Sequence, residues 1–550
     1  MFVHHNITRI NSRSIVTRVY YGCISLILFA CGSSNRDKAS KETLSLGFDA
    51  SYDPPVSSFD PPIDIDPYFK VLEPVTSDPY WILALEMDDS ENTIDQMLRE
   101  DNRSIKFSFP AEVPEYLPVS ITGWAPASEY MVSAGREIFS KLNQILNVKF
   151  EESNTSEGFN NLVIAQSIQA NTSGFSYFPN NYFQLGSDIF ISKDYAKPFI
   201  LPSRYTNYDY ETLLHEIGHA LGLKHPFDGH LNNLSVLNAY EDQTKFTAMS
   251  YDDDSLTFDG LFRVLDWMTL TKFYGLNQSF RSEDNVYTFS ETSGTFIIDG
   301  NGLDTISSEN SVQNIFLDLR PGGHSYEGQK SIYITAAKQL TISHGSDIEN
   351  VQTGSGDDTL IGNHLNNNIK SGDGDDVIFA GEGEDIIYPG AGKDKIDLSE
   401  DVNVRDIIVL KEITEEQHYD TVYGFSQGIL GDVLDLRNLN FTELTSLPLV
   451  DSLNVPSGYI DNCLVRVFGR DLSDVNDVTD SFGYSGDLGN LKLSSGKQSV
   501  LITSNSQDTG DVQNVFFVRQ NSDFTEVLHL INLVGNYLDI DNWSIDNFLL

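Results

Sequence analysis

His215-Glu216-Ile217-Gly218-His219-Ala220-Leu221-Gly222-Leu223-Lys224-His225-Pro226 carries three histidines at fixed offsets, with a glutamate after the first. Residues four apart lie on one face of a helix, so the imidazoles of His215 and His219 can bind a single metal ion. A positive φ at Gly222 would end that helix and bring His225 back as a third ligand. Three neutral imidazoles that leave a fourth position to water are typical of a catalytic zinc site, in which Glu216 is the general base beside that water.

The alternative is that the histidines are ordinary core residues. The shorter pattern H-E-x-x-H also occurs by chance on amphipathic helices. The glycine and the third histidine at fixed offsets argue against chance, so we interpret the motif as a zinc site.

The motif, with the proline after His225, resembles the metzincin metalloproteases and most closely their serralysin branch. The segment Thr247-Ala248-Met249-Ser250-Tyr251 resembles the same branch. The resemblance implies that Met249 is the Met-turn residue beneath the zinc, although on composition alone it would be a core methionine. It also implies that Tyr251 is a displaceable fifth ligand that helps to stabilise the tetrahedral intermediate of peptide hydrolysis.

The composition restricts the fold and the partners. A chain of 550 residues is expected to form two to four domains. Its net charge of −45, from 80 acidic and 35 basic residues, argues against nucleic acid or an anionic membrane surface as partner. Such acidity also suits a chain whose carboxylates bind Ca²⁺. The three cysteines are Cys23, Cys31 and Cys463, so metal ions rather than disulfides are expected to stabilise the protein.

The N-terminus predicts export. Arginines precede the apolar run Ile24–Ala30, which ends at Cys31, and residues 1–31 therefore form a signal peptide. The end of this apolar run at Cys31 resembles a bacterial lipoprotein signal. The resemblance implies that Cys31 is lipidated and attaches the chain to a membrane. The alternatives are an uncleaved anchor or a signal that is cut nearby. Residues 32–102 are rich in proline and aspartate and are interpreted as a linker or prosegment.

Residues 103–280 are predicted to form an α+β domain that contains the zinc helix. Apolar spacing predicts a long helix over residues 131–146 and the zinc helix over residues 210–221. Alternation and apolar runs predict strands at residues 105–109, 150–152, 162–165 and 188–191. Residues 174–179 resemble the serralysin segment before the edge strand that pairs with substrate.

A repeat of nine residues follows within the predicted calcium-binding region, residues 281–400. Its blocks begin at Thr353, Gly362, Ser371, Ala380 and Pro389, each with an apolar eighth residue, which is the pattern of the RTX calcium β-roll. The alternative, a flexible Gly/Asp-rich loop, does not explain the strict period. Turns two blocks apart are expected to stack and share Ca²⁺, and the proposed ligand residues are Gly354, Gly356, Asp358, Asn367, Gly372, Gly374, Asp376, Gly381, Gly383, Asp385, Gly390, Gly392 and Asp394.

The block with Asn367 departs from the repeat, and its calcium site is expected to be weaker. Earlier turns resemble other serralysin calcium sites, which implies further ligands at Asp299, Asn301, Asp304 and Glu349. Residues 420–425 and 432–436 resemble the strand pair that caps serralysin β-rolls. Residues 401–550 are predicted to be β-rich, and their end resembles a type I secretion signal.

The predicted fold is therefore an α+β metzincin catalytic domain, a parallel β-roll and a β-rich C-terminal region. The predicted function is that of a secreted or surface-anchored zinc endopeptidase, a monomer that acts on proteins or peptides outside the cell or on a bacterial cell surface. The alternative is a calcium-stabilised surface or adhesion protein with an inactive metzincin domain. An inactive site need not keep Glu216, so its presence favours the enzyme.

Overall fold

The computed structural model describes residues 78–550, apart from residues 89, 101, 159–160, 170–171, 181–182, 194–207, 231–232, 253–260, 401, 403, 412–418, 429, 440–444, 447–449, 452–457, 469–477, 480–490, 496, 505–511, 521–524 and 535–542. The predicted signal peptide with Cys31, and residues 32–77 of the predicted linker, lie outside the described residues. Within the described ranges, no helix combines the length and the apolar character needed to cross a bilayer.

The first half of the chain packs helices against a mixed sheet. Its elements are α1 Tyr80–Leu83, α2 Ser90–Glu100, β1 Ser104–Ser108, β2 Ala125–Pro126, α3 Glu129–Ile145, β3 Lys149–Glu152, β4 Asn161–Ser167, β5 Gly174–Ser176, β6 Ile189–Ser192, α4 Tyr208–Ala220 and α5 Val264–Tyr274. The sheet order is β3-β1-β4-β6-β5, with β2 paired to β4. Strands β3, β1, β4 and β6 are parallel, and β5 runs antiparallel to β6 at the edge of the sheet.

Helix α3 shows why the helices lie where the sequence predicts them. Ser128 caps its first turn by accepting a hydrogen bond from the backbone N–H of Met131. Its apolar residues recur every three or four positions and are buried in one core with the zinc helix α4. Phe139 stacks on Phe107 of β1 with ring centroids 4.1 Å apart, which fixes the helix on the sheet.

Residues 78–88, which lie before the predicted boundary at residue 102, pack into the first core. Trp81, Ile82 and Leu85 are almost completely buried there. The segment also bonds to the loop after the zinc helix, because Met87 donates to the carbonyl of Gly222 and Leu85 accepts from Lys224. These contacts join residues far apart in sequence, which local composition does not reveal.

Lys224 fastens this N-terminal segment to the loop that carries His225. Its side chain is only 1% exposed, and its ammonium group donates to the carbonyls of Ala84, Asp228 and Ser235 at 2.8, 3.0 and 2.7 Å. Burial lowers its pKa to about 8. A buried cation is tolerated here because three acceptors satisfy its three donors.

The second half begins with a two-sheet roll. Its strands are β7 Val286–Tyr287, β8 Thr295–Ile297, β9 Thr305–Ser307, β10 Ile315–Asp318, β11 His324–Glu327, β12 Gln339–Ile342, β13 Asn350–Gln352, β14 Thr359–Ile361, β15 Asn368–Lys370, β16 Val377–Phe379, β17 Ile386–Tyr388, β18 Lys395–Asp397, β19 Ile407–Val409, β20 Asp420–Tyr423 and β21 Val433–Asp435. Strands two blocks apart pair in parallel, for example Leu360 with Ile378 and Ile378 with Ile396. The apolar eighth residues of the repeat fill the core between the two sheets.

The C-terminal region is β-rich and continues the roll. Its strands are β22 Thr445–Ser446, β23 Val450–Asp451, β24 Gly458–Tyr459, β25 Cys463–Phe468, β26 Leu491–Lys492, β27 Gln498–Ser504, β28 Gln513–Gln520, β29 Thr525–Val534 and β30 Phe548–Leu549. Strand β29 pairs with β20 and β30 pairs with β21. The predicted capping strands, β20 and β21, do not pair with each other. Each instead extends one of the two sheets.

Glu241 joins the two halves of the described chain. Its buried carboxylate accepts hydrogen bonds from Tyr80 in the N-terminal segment at 2.7 Å and from Thr335 in the roll at 2.9 Å. Glu241 itself lies in the loop between His225 and Met249. The first core, the loop around the histidines and the roll therefore share one buried polar junction.

We predict that Lys224→Met destabilises the first half of the protein. The substitution removes three hydrogen bonds and leaves buried carbonyls without their donor, so the free energy of unfolding should fall by about 3 kcal/mol. Urea unfolding followed by tryptophan fluorescence measures this. The exposed Lys193→Met is the matched control and should leave the midpoint unchanged. An unchanged urea midpoint for Lys224→Met would show that the three hydrogen bonds of Lys224 contribute no stability.

Candidate metal centre and calcium turns

The three histidines meet at the end of α4. Nε2 of His225 lies 3.2 Å from Nε2 of His215 and 3.1 Å from Nε2 of His219, and all three side chains are buried. The helix ends as the motif predicts, because Gly222 has φ 101° and the chain then reverses toward His225. Among the residues that the structure describes, one group of three side chains is arranged to hold a metal ion. It consists of His215, His219 and His225.

Each imidazole is oriented by an acceptor at its other nitrogen. Nδ1 of His215 donates to the carbonyl of Ala248 at 2.8 Å, and Nδ1 of His219 donates to the carbonyl of Leu223 at 2.6 Å. Nδ1 of His225 donates to the carboxylate of Asp228 at 2.9 Å. These bonds leave the Nε2 lone pairs facing one another, which is the arrangement of metal-binding histidines with outer-shell acceptors.

The chemistry of this donor set fits zinc. Burial lowers the pKa of His215 to about 4 and holds the pKa values of His219 and His225 well below the usual range for histidine. The rings are therefore neutral, as ligands must be. Three lone pairs pointing at one another repel, and a divalent cation turns that repulsion into coordination. Three nitrogen ligands leave a position open for water.

Glu216 is held beside this centre by strand β5. Its side chain is fully buried, and Ser176 donates to Oε2 at 2.8 Å. A Cβ at Gly174 would lie 2.7 Å from Oε1, so the strand can approach the carboxylate this closely only with glycine there. The predicted base is thus fixed by contacts from a distant strand. Ser176 lies in the segment 174–179 that resembles serralysins, but its contact with Glu216 was not predicted.

Tyr251 lies beside the third histidine, and Met249 lies beneath helix α4. The hydroxyl of Tyr251 is 2.8 Å from Nε2 of His225, while 40% of the side chain is exposed to solvent. Met249 is fully buried, and a Cβ at Gly218 would lie only 2.5 Å from its sulfur. The turn around Met249 therefore packs directly beneath the helix that carries two of the histidines.

Asp266 fixes that turn. Its buried carboxylate accepts hydrogen bonds from the hydroxyl of Thr247 at 2.6 Å and from the backbone N–H of Ala248 at 2.7 Å. Since the carbonyl of Ala248 orients His215, Asp266 supports the first ligand indirectly. Asp266 and Asp228 were not among the predicted site residues. Only their position close to the motif residues could have indicated them.

The aspartates of the repeat form two columns along the roll. Turns two blocks apart stack as predicted. Asp358 N–H donates to Asp376, Asn367 N–H to Asp385 and Asp376 N–H to Asp394, at 2.8, 2.7 and 2.9 Å. The predicted glycines, positions 354, 356, 372, 374, 381, 383, 390 and 392, lie in these turns. A Cβ at Gly372 would lie 2.0 Å from the carbonyl oxygen of Gly354, so the stacked turns leave no room for a side chain there.

These carboxylates fit a hard cation. The second carboxylate oxygens of Asp358, Asp376, Asp385 and Asp394 are buried and accept no hydrogen bond. Burial raises the pKa values of Asp376 to about 7 and Asp385 to about 9, since a charged carboxylate is disfavoured away from water. A cation that binds these oxygens removes that cost, and calcium prefers carboxylate and carbonyl oxygens.

Asn367 differs from the aspartates around it. Its amide nitrogen donates to the carbonyl of Glu349 and to the side-chain oxygen of Asn363, both at 3.2 Å. An amide donor occupies a position where the other turns present a carboxylate oxygen. This agrees with the expectation of a weaker calcium site in that block.

The earlier acidic turn forms one cluster ahead of the repeat. The backbone N–H of Asp304 donates to the carboxylate of Glu349 at 2.7 Å, and the second carboxylate oxygen of Asp304 is buried without a partner. Asp299 accepts a hydrogen bond from Tyr287 and, at 3.4 Å, one from the backbone of Asn301. Asp304 and Glu349 therefore extend one of the columns toward the first half of the chain.

Asp406, Asp420 and Asp432 extend the columns beyond the repeat and were not predicted. They accept from the backbone N–H groups of Asp385, Asp394 and Asp406 at 2.9, 3.0 and 2.9 Å. Each is followed by a residue and then an apolar residue, as in the repeat itself. That short pattern could have revealed them, although their glycines and their spacing of nine are lost.

Comparison with known proteins agrees with this architecture. The model of the RTX calcium-binding nonapeptide repeat, in four copies, matches residues 345–364 and 365–396. Serralysin from Photorhabdus laumondii is 26% identical over 340 residues, covering 52% of this chain and 67% of that protein. Metalloprotease AprA from Pseudomonas entomophila is 35% identical over 193 residues, covering 30% of this chain and 39% of that protein. This chain is similar to serralysins over about half of its length, and it carries RTX repeats.

The same comparisons bear on the metals. Serralysin metalloproteases use zinc and RTX repeats bind calcium, so the two predicted cofactors are confirmed at the level of the family. The chain spans about two thirds of the Photorhabdus serralysin and well under half of AprA. A solution structure of the AlgE6R3 subunit of Azotobacter vinelandii mannuronan C5-epimerase aligns with 36% of this chain and 78% of its own at 17% identity. Its TM-score of 0.21 is too low to indicate a fold shared with this chain.

We predict that calcium removal unfolds the roll of this serralysin-like chain. Without the cation, the buried carboxylates of the columns repel one another, so EGTA should abolish most of the β-sheet signal in circular dichroism. Asp376→Asn should lower the calcium content by at least one ion per chain, measured by elemental analysis. Asp373→Asn, an exposed aspartate of the same turn, should not. A spectrum insensitive to EGTA, or equal calcium content in the two variants, would contradict the assignment.

Proposed function

We propose that this protein is a zinc endopeptidase that hydrolyses peptide bonds in proteins. The observation that carries the proposal is the convergence of three neutral imidazoles, with the phenol of Tyr251 beside them. The buried carboxylate of Glu216 follows the first of these histidines on the same helix. His215, His219 and His225 would hold the zinc. When bound, zinc lowers the pKa of a coordinated water to about 7 and polarises a carbonyl.

Glu216 is the general base and then the general acid. Its carboxylate would take the proton of the attacking water and pass it to the nitrogen of the leaving amine. Ser176 holds one carboxylate oxygen, so the proton-accepting group keeps a single orientation. Burial of Glu216 excludes bulk water, which would otherwise compete for that carboxylate.

Tyr251 would stabilise the oxyanion. Its hydroxyl is close to His225, and its exposed ring faces the solvent side of the centre. A phenol can donate one hydrogen bond to the oxygen on which negative charge develops. Met249 packs beneath helix α4 and supports it from below. It takes no part in proton transfer.

The edge of the sheet offers a place for the substrate. Strand β5 is the last strand in the sheet order and contributes Ser176, the residue that contacts the base. An extended peptide that adds to this edge would pass the catalytic carboxylate. Binding of this kind relies on backbone hydrogen bonds and discriminates little between sequences. Together with the helices over the sheet, it supports a metzincin-type catalytic domain.

The calcium turns would stabilise the protein after export. The signal-like pattern of residues 1–31 supports secretion. Lipidation of Cys31 would attach the protein to the bacterial surface. The protein would act there as a monomer. Residues 32–102 are proposed to be a linker or prosegment, and the part of this segment around Trp81 and Leu98 packs into the first core. The inactive adhesion protein is the weaker alternative, since Glu216 is present in the motif, the three histidines meet and Tyr251 lies beside His225.

We predict that Glu216→Gln retains zinc but loses hydrolysis of casein. The amide cannot accept the proton of the water, whereas the three imidazoles are unchanged, so the rate should fall at least about 100-fold. Casein cleavage, with zinc content measured on the same sample, tests this. Phenanthroline should abolish the wild-type activity.

The matched control is Glu129→Gln, an exposed glutamate at the start of α3, which should keep full activity. Retained turnover by Glu216→Gln would remove the assigned base. A wild-type protein that binds zinc and cleaves neither casein nor peptides would favour the inactive alternative.

A further inference from the structure

Phe227 lies two residues after the third histidine and packs against the metal centre from outside. Its ring stacks on His225, with centroids 5.0 Å apart and an interplanar angle of 12°. It also contacts the ring of Tyr251, with centroids 5.0 Å apart and an angle of 51°. Phe227 remains 38% exposed, so burial in the protein core does not explain a large apolar residue at this position.

The ring of Tyr251 therefore touches three other rings. It stacks on His215 at 5.6 Å and 22°, and it meets His225 at 4.8 Å and 58°. Phe227 is the one among the three that is not a proposed ligand. The contacts with His215 and His225 belong to the centre itself, whereas the contact with Phe227 adds a support that the zinc chemistry does not require.

The contact with Phe227 can favour one position of the Tyr251 side chain over another. A group that contacts one conformation and not the other shifts the population toward the first. Contacts between aromatic rings are strong enough to change such a population roughly 2- to 10-fold. Tyr251 is 40% exposed, so the side of the residue away from the histidines is open to solvent except where Phe227 contacts it.

We propose that Phe227 is a positioning residue that holds the phenol of Tyr251 at the three-histidine centre. Its ring covers His225 and Tyr251 together, so that displacement of the phenol breaks the contact with Phe227. The inference rests on the proposed zinc site. Phe227 controls how readily Tyr251 leaves that site. It does not contact the reacting atoms itself.

Copper substitution makes the position of Tyr251 visible. A phenolate bound to Cu²⁺ gives a charge-transfer absorption band in the visible region, which imidazole and water ligands do not. The protein is stripped of zinc and loaded with one equivalent of Cu²⁺, and the band intensity per bound copper is measured. The wild type should show the band, and Tyr251→Phe should lack it.

Phe227→Ala should reduce the band at least two-fold at equal copper content, because the phenol is no longer held. Phe227→Trp keeps an aromatic ring without adding a second phenol and should restore it. Phe183→Ala, which removes another exposed phenylalanine, is the matched control and should keep the full band. Circular dichroism of each variant establishes that it is folded.

A full band in Phe227→Ala would overturn the inference. So would a wild type that binds copper without showing the band, because the phenol would then not lie on the metal, while the three-histidine site itself would stand. A wild type that binds neither copper nor zinc would contradict the proposed function, and the role of Phe227 would fail with it.

Discussion

Both halves of this protein bury groups that repel one another unless a cation lies between them. In the first half, the Nε2 atoms of three neutral imidazoles face each other at 3.1–3.2 Å. In the second half, columns of aspartates present carboxylate oxygens that accept no hydrogen bond. Nitrogen donors with an open position suit zinc, whereas carboxylate and carbonyl oxygens suit calcium. The type of buried donor thus distinguishes the proposed catalytic zinc centre from the proposed structural calcium sites within a single chain.

The catalytic half depends on supports that lie far away in sequence. Ser176 reaches Glu216 from the edge strand, and Asp266 holds the turn whose carbonyl orients His215. Lys224 ties the N-terminal segment to the loop of His225. The roll is connected to this assembly through Glu241 and continues without a break into the C-terminal strands. Loss of calcium is expected to act first on the roll, and the hydrogen bonds of Glu241 connect the roll to the half that carries the three histidines.

Features with a local period could be predicted from the sequence, and features built by distant contacts could not. The zinc helix was expected over residues 210–221 and is found at Tyr208–Ala220, since spacings of three and four fix a helix and Gly222 fixes its end. The period of nine likewise fixes the pairing of Leu360, Ile378 and Ile396. Residues 78–88 have the proline and aspartate of a linker, and only their backbone bonds to the zinc loop reveal their place. Asp406, Asp420 and Asp432 were missed because the roll keeps its geometry after the glycine pattern ends.

X-ray absorption at the zinc edge of the loaded wild-type protein tests the central claim most directly. One zinc per chain is predicted, bound by three imidazole nitrogens at about 2.0–2.1 Å and by oxygen in the remaining shell. A spectrum with two or four imidazoles, or with sulfur, would contradict the three-histidine centre. So would a protein that is folded in calcium and retains no zinc.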